Sequence, residues 1–386
     1  MKPLSDNVVK IPRSGIRGIM DVAEQMNDVI HLEVGQPHYD TPAHIKEAAN
    51  KALQDGYTRY TPNAGLPSLR ALLADKLRRV NGIKVSPEGI AVTPGGVFAC
   101  ASALFTIAKA GDQVLLPEPG WPNYSFQTRV IGVEPVYYHL NPSAGFLPDL
   151  DEMRSLINER TRAILINSPS NPCGSVFPEP VLRGILDLAR EYDLYLISDE
   201  VYEDIVYEGK HYSPGAWDDE GRVLTVFSFS KAYAMTGWRI GYVATTEEIC
   251  KNFSKFSESM VSCVSSVSQK AAEAAITGPQ DFVAAMVAQY KRNRDIIMSI
   301  FAGAGIVAYK PAGAFYMLLD IGDTGLDSYA FTLKLLEAKH VAVAPGLTFG
   351  PRSDNYVRIS FCKDEESVVE GARRIADFIS RLYVRG

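Results

Sequence analysis

The sequence is poor in cysteine and histidine and has no excess of positive charge. Its five cysteines, Cys100, Cys173, Cys250, Cys263 and Cys362, are scattered and never form a CxxC pair. That pattern fits reduced thiols in a cytosolic protein better than a disulfide framework or a zinc site. The six histidines form neither HExxH nor a His-x-x-x-His pair, so no metal site is expected. The formal net charge is -6, without a run of like charges, which argues against a nucleic-acid binder. No apolar stretch reaches the roughly 18 residues that span a bilayer. The start, MKPLSDNVVKIPRSGIRGIM, lacks the apolar core of a secretory signal. A cytoplasmic location is therefore expected, with neither membrane nor nucleic acid as partner. No strand leads into GxGxxG, which disfavours a dinucleotide-dependent dehydrogenase.

What is present is an ordinary globular composition, 46% hydrophobic and 22% charged over 386 residues. That length suits one large α/β domain with a smaller companion. GIAVTP (89–94) leads into small and apolar residues that read as a buried helix ending at Gly111. QVLLPEP (113–119), RAILINSPSNPCG (162–174), LYLISDE (194–200), RVLTVFSFSK (222–231) and RIGYVATT (239–246) read as strands with the loops that follow them. VLRGILDLAREYD (181–193) has helical spacing. Strands that are apolar on both faces and alternate with helices imply a mostly parallel sheet sandwiched by helices, an α/β fold. From about residue 285 the elements are grouped instead, as in an α+β unit. The expected division is 1–38 as an N-terminal segment of a small domain, 39–284 as the large domain and 285–386 as the rest of the small one.

Such sheets bind ligands beyond the carboxyl ends of their strands. There stand Gly95, Gly96, Trp121, Asn171, Asp199 and Lys231. Alone, Lys231 in SFSKAYAMTGWRIG reads as a solvated loop lysine or as a reagent. Phe229, Ala232, Ala234 and Met235 give it an apolar setting, and Arg239 adds positive charge; both would destabilise the ammonium form, as a nucleophilic amine requires. Ser228, Ser230 and Arg239 form a hydroxyl and guanidinium set suited to a phosphate dianion. Asp199 ends a buried strand and needs a partner, whether a cap, an ion pair or a protonated ring nitrogen. Tyr202, three residues on, can aim its hydroxyl into the same site. Gly95 and Gly96 offer bare N–H groups for an anion, or mark a turn. Trp121, in PGWPNY (119–124), read as a strand-end loop, is either a core residue or a plate for a flat ring. Asn171 lies in an Asn-Pro turn. Arg358, in NYVRISF, alternates with Val357 and Ile359; it is either a surface arginine or a bidentate grip for a carboxylate.

In order, SGIRGI, VGQPHYDTP, YTPNAGLPSLR, SPSNPCG, SDEVYE, SFSKAYAMTGWRIG and YVRISF resemble the fold-type I, pyridoxal-phosphate-dependent class I/II aminotransferases of the aspartate/aromatic group, over nearly the whole chain. The resemblance implies that Lys231 carries pyridoxal 5'-phosphate and moves the substrate Cα proton. Asp199 would keep the pyridine nitrogen protonated, and Asn171 and Tyr202 would bond the ring's phenolic oxygen. Trp121 would stack on the ring and border the substrate. Ser228, Ser230, Arg239 and the backbone at Gly95, Gly96 and Val97 would hold the phosphate. Tyr60 would reach the phosphate of the other subunit, implying a homodimer with shared active sites. Arg358, with Asn171 and Gly35, would bind the substrate α-carboxylate. Some relatives carry a lysine for a distal carboxylate where this chain has Val97; Arg13 or Arg17 could substitute. Aspartate with 2-oxoglutarate is the favoured pair of substrates, ahead of aromatic or broad donors. A β-lyase or another amino-acid enzyme on the same fold is the alternative.

Overall fold

The apolar runs become strands buried on both faces. The computed structural model describes residues 2–9 and 11–383. Strand β1 (Ile30–His31) precedes the eight strands of the central sheet. These are β2 (Ile90–Thr93), β3 (Gln113–Glu118), β4 (Glu134–Asn141), β5 (Leu147–Pro148), β6 (Thr161–Asn167), β7 (Tyr195–Asp199), β8 (Val223–Ser228) and β9 (Gly241–Ala244). Their order across the sheet is β2-β9-β8-β7-β6-β3-β4-β5. The pairings β8-β7-β6-β3-β4 are all parallel, while β9 and β5 run against their neighbours. All of β2 and β3 is buried, as sheets covered on both faces require. The helix Glu179–Glu191 covers one face with Leu182, Ile185, Leu186, Leu188 and Ala189. Each of its leucine and isoleucine side chains contributes roughly 1.5–3 kcal/mol when fully buried.

The grouped elements after residue 285 form a second layer. Strands β10 (Tyr316–Asp320), β11 (Val341–Ala342), β12 (Ala344–Pro345) and β13 (Tyr356–Ser360) follow in the chain. β13 lies between β10 and β12, antiparallel to both. The helices Asp281–Gly303 and Glu365–Tyr383 pack together beside this sheet. β1 pairs in parallel with β11, so the start of the chain is built into its C-terminal part.

Two local expectations need correction. The helix expected to end at Gly111 is Gly96–Ile107. Ala108 is extended, and Asp112 turns the chain back by accepting from the Lys109 N–H at 3.0 Å. The residues after Trp121, read as loop, form the helix Pro122–Val130. Its largely polar composition hides the periodicity, while proline at the first helical position favours the start.

Candidate active site

Beyond the carboxyl ends of the parallel strands lies a cavity of about 370 Å³. Its wall includes Gly35, Gly96, Val97, Trp121, Asn171, Asp199, Tyr202, Ser228, Ser230, Lys231, Arg239 and Arg358. Residues far apart in sequence are thus delivered to one place by the topology, as the parallel-sheet rule expects.

Lys231 sits in the short helix Phe229–Ala232, capped by Ser228, whose Oγ accepts from the Ser230 N–H at 3.2 Å. Its Nζ donates to the Gly35 carbonyl at 2.7 Å and lies 5.8 Å and 5.7 Å from the ring centres of Tyr202 and Phe315. Loss of water is the main cause that pulls its pKa from 10.5 down to about 8. The Cys362 thiol opposes the shift, while the Arg358 and Arg239 guanidiniums reinforce it. Arg239 therefore acts on the lysine as its sequence position suggested, but behind burial.

Asp199, at the end of β7, is 2% exposed. Its Oδ2 accepts from the Tyr124 hydroxyl at 2.5 Å and from the Cys100 thiol at 3.7 Å, and its Oδ1 from the Val201 N–H at 3.2 Å. Each of these donors is neutral. Burial, only partly offset by these bonds, raises the carboxyl pKa from 3.8 to about 6. A buried carboxylate surrounded by neutral donors is suited to receive a cationic N–H.

Arg358 is 2% exposed, as buried as its neighbours Val357 and Ile359. The surface reading of that arginine is therefore wrong: both faces of β13 are covered, one of them by the cavity wall. Its guanidinium donates to Asn171 Oδ1 at 2.9 Å and to the Glu33 carbonyl at 2.5 Å, and lies over the Tyr316 ring at 4.3 Å. Its Nε is buried without a partner, and so is Glu33 Oε2. Asn171 is fixed in turn, its N–H donating to Asn167 Oδ1 at 2.8 Å. The Tyr202 hydroxyl meets that of Tyr316 at 3.0 Å.

The anion-binding end is set by glycine. Gly95 has φ +87° and precedes the helix Gly96–Ile107, whose first N–H groups have no partner within the helix. A Cβ on Gly95 would stand 2.5 Å from an Arg239 guanidinium nitrogen. Arg239, itself at φ +51°, donates to the Thr236 carbonyl at 2.8 Å and so lies across the helix start. Gly35 is equally constrained, because a Cβ there would meet the Tyr316 hydroxyl at 1.7 Å.

The cavity also contains residues that the sequence did not single out. Tyr124 lies three positions after Trp121, and the two rings meet edge to face at 5.3 Å; helical spacing was the available signal. Asn167 ends an apolar strand, as Asp199 does. For Tyr316 and Glu33, and for Cys100 behind Asp199 outside the cavity wall, no local signal exists, since their roles depend on tertiary contacts. Tyr60 belongs to no part of this wall and is 90% exposed. Elsewhere, Glu200, Glu203 and His211 bring ligand atoms within 4.8 Å of one another. There Lys76 pairs with Glu203 and His211 with Glu200, which balances the charge internally.

Comparison with known proteins gives a consistent result. The family model described as aminotransferase class I and II matches residues 27–375. The aspartate/prephenate aminotransferase of Thermus thermophilus is 39% identical over 365 residues, covering 94% of each chain. The aspartate aminotransferase of Pyrococcus abyssi is 40% identical over 378 residues, 96% of this chain and 97% of that one. The solved structure of the Thermus thermophilus aspartate aminotransferase with maleate superposes with a TM-score of 0.93 at 38% identity, covering 98% of this chain and 100% of that one.

Proposed function

The chain belongs to the class I and II aminotransferases, and from that premise we propose that it moves the amino group of an L-amino acid to a 2-oxo acid, with pyridoxal 5'-phosphate held in the cavity around Lys231. The observation that carries the reading is the pairing, in one cavity, of a lysine brought to a pKa of about 8 with a buried carboxylate that has only neutral donors around it. The residues fit the cofactor. The glycine cradle under Arg239, with Ser228 and Ser230 beside it, suits the phosphate; Asp199 suits the protonated ring nitrogen; Trp121, Asn171 and Tyr202 border the space between.

When bound, pyridoxal phosphate supplies a carbonyl carbon for exchange of amines and a ring that withdraws electrons from the substrate Cα. The chain supplies the rest. Arg358 binds the α-carboxylate, its plane set by Asn171 and the Glu33 carbonyl. The Gly35 carbonyl, which accepts from Lys231, keeps Nζ beside that carboxylate position. A lysine with a pKa of about 8 is partly free amine near neutrality, so Nζ can take the Cα proton. Asp199 keeps its negative charge at the dry end of the site, where it favours the protonated ring.

Aspartate and 2-oxoglutarate are the proposed substrates, in line with relatives named for aspartate. We place the protein in the cytoplasm as a homodimer, with Tyr60 serving the neighbouring subunit's phosphate; its 90% exposure supports that role. The division into 1–38 with 285–386 and 39–284 belongs to the same proposal. The pairing of β1 with β11 supports it, although the helix Asp281–Gly303 crosses the second boundary. A panel of amino donors against 2-oxoglutarate tests the reading. Transamination yields glutamate and the donor's oxo acid, with aspartate among the best donors. Release of ammonia and pyruvate instead would make the protein a β-lyase.

A further inference from the structure

A second cavity, of about 620 Å³, is walled by the end of the helix Pro67–Lys76, the turn that follows Tyr202 and the helix Asp281–Gly303. It is larger than the active-site cavity and within the roughly 300–1,000 Å³ typical of small-molecule sites. The long helix contributes Val283, Ala284, Val287 and Ala288, whose spacing puts them on one face. Val80 and Ile276 add to this apolar lining. The wall adjoins the active site through the chain itself. Tyr202 and Lys231 line the active-site cavity, while Asp204 and Tyr233, two positions after each, line this one.

Charge in this wall is unmatched in both signs. Lys76 is paired with Glu203. Arg79 and Lys291 are exposed and only partly compensated. Asp75 serves both Arg78 and Arg79, Asp295 serves both Lys291 and Arg294, and Glu208 serves both Arg294 and Lys310. Asp204 is the reverse case. It is open to solvent and, among the described residues, makes no side-chain hydrogen bond or ion pair. Protein surrounds it closely enough that burial first, and the charge of Glu203 second, push its carboxyl above the ordinary value, against Lys76 and His211. A free carboxylate and under-compensated cations around an apolar wall are complementary to a zwitterion with an apolar body. We propose that this cavity is a second binding site, for an amino acid with an apolar side chain: its ammonium on Asp204, its carboxylate on Arg79 and Lys291, and its side chain on the Val283–Val287 face.

The assignment needs nothing from the chemistry at Lys231, and its test separates the two cavities by position. L-Leucine is titrated into the pyridoxal-phosphate holoenzyme, and amide hydrogen exchange is followed by mass spectrometry. Exchange should slow saturably in the peptides covering 204–207 and 280–291. Asp204→Asn should raise the leucine Kd read from those peptides by about 10-fold or more, the value of a charge-assisted contact. Ala284→Phe, at an exposed position of the wall, should fill the space and abolish the protection, and it serves should the asparagine variant not fold. Isoamylamine lacks the carboxylate, 4-methylpentanoate lacks the ammonium, and aspartate lacks the apolar side chain. Each should bind there about 10-fold more weakly than leucine, or worse. Leucine protection confined to peptides of the active-site cavity, or protection near Asp204 that the variants leave unchanged, overturns the site. A ligand missing one of the three features that protects these peptides as well as leucine does overturns the assignment of the ligand.

Discussion

Asp199 shows how a single residue can be costly to the fold and, on the proposed function, needed by the site. Its pKa is raised on folding, so the folded chain binds the extra proton more tightly between 3.8 and about 6. Stability therefore falls as pH rises through that window, and the full cost is present above about 6. A rise from 3.8 to about 6 corresponds to about 3 kcal/mol at most. Removing the charge should relieve that cost, because a neutral amide can still accept from Tyr124. Cofactor-free Asp199→Asn is thus expected to melt above wild type at pH 8, with the difference closing as pH falls towards 3.8. Its transamination rate should drop by about a hundredfold or more. A lower melting temperature at pH 8, or a difference that ignores pH, would contradict this account of the carboxylate. Such a trade of stability for chemistry is usual where binding sites keep unpaired charge.

Among the elements, the turn from β2 into the helix Gly96–Ile107 is the one whose geometry leaves least freedom. Gly95 has a positive φ, and a Cβ there would strike Arg239. Gly95→Ala should weaken cofactor binding by about 10-fold or more, through backbone strain and displacement of the guanidinium. Gly237→Ala, where an added Cβ meets nothing within 4 Å, should bind as wild type does. Fluorescence titration of the cofactor-free protein reads both, and equal affinities in the two variants would remove the cradle from the argument. This turn was half legible in the sequence: the paired glycines mark it, but the neighbour that forbids a side chain comes from residue 239. The strands were more legible, because an apolar run such as Ala163–Leu165 has no polar alternative inside a covered sheet. The helix Pro122–Val130 was not, since its buried residues Pro122, Tyr124 and Thr128 make too narrow a stripe. Arg358 was misjudged on one of its two readings because alternation predicts a wet face only when that face is uncovered.

At the scale of the whole molecule, the site draws on the N-terminal helix and the loop after β1, on the ends of β6, β7 and β8, and on β13. Order along the chain made this convergence readable for Asn171, Asp199 and Lys231, since strand ends share an edge, whereas Arg358, in the other sheet, was placed there by the family resemblance. It could not reveal Tyr316 or Glu33, which enter only when the C-terminal sheet docks. The proposed sharing of Tyr60 between subunits is also a claim at this scale. If each site uses its own Lys231 and the other subunit's Tyr60, a heterodimer of Lys231→Ala and Tyr60→Ala chains contains one intact site. Unfolding and refolding the two inactive variants together should restore activity to about a quarter of wild type for random pairing. No recovery would assign Tyr60 to its own chain's site or to none. All of these expectations rest on Lys231 as the residue that holds the cofactor. The most direct measurement is borohydride reduction of the reconstituted holoenzyme followed by mass spectrometry of its peptides. The account predicts bleaching of the visible absorbance and one pyridoxyl adduct, on Lys231. An adduct on another lysine, or no bound chromophore to reduce, would contradict it.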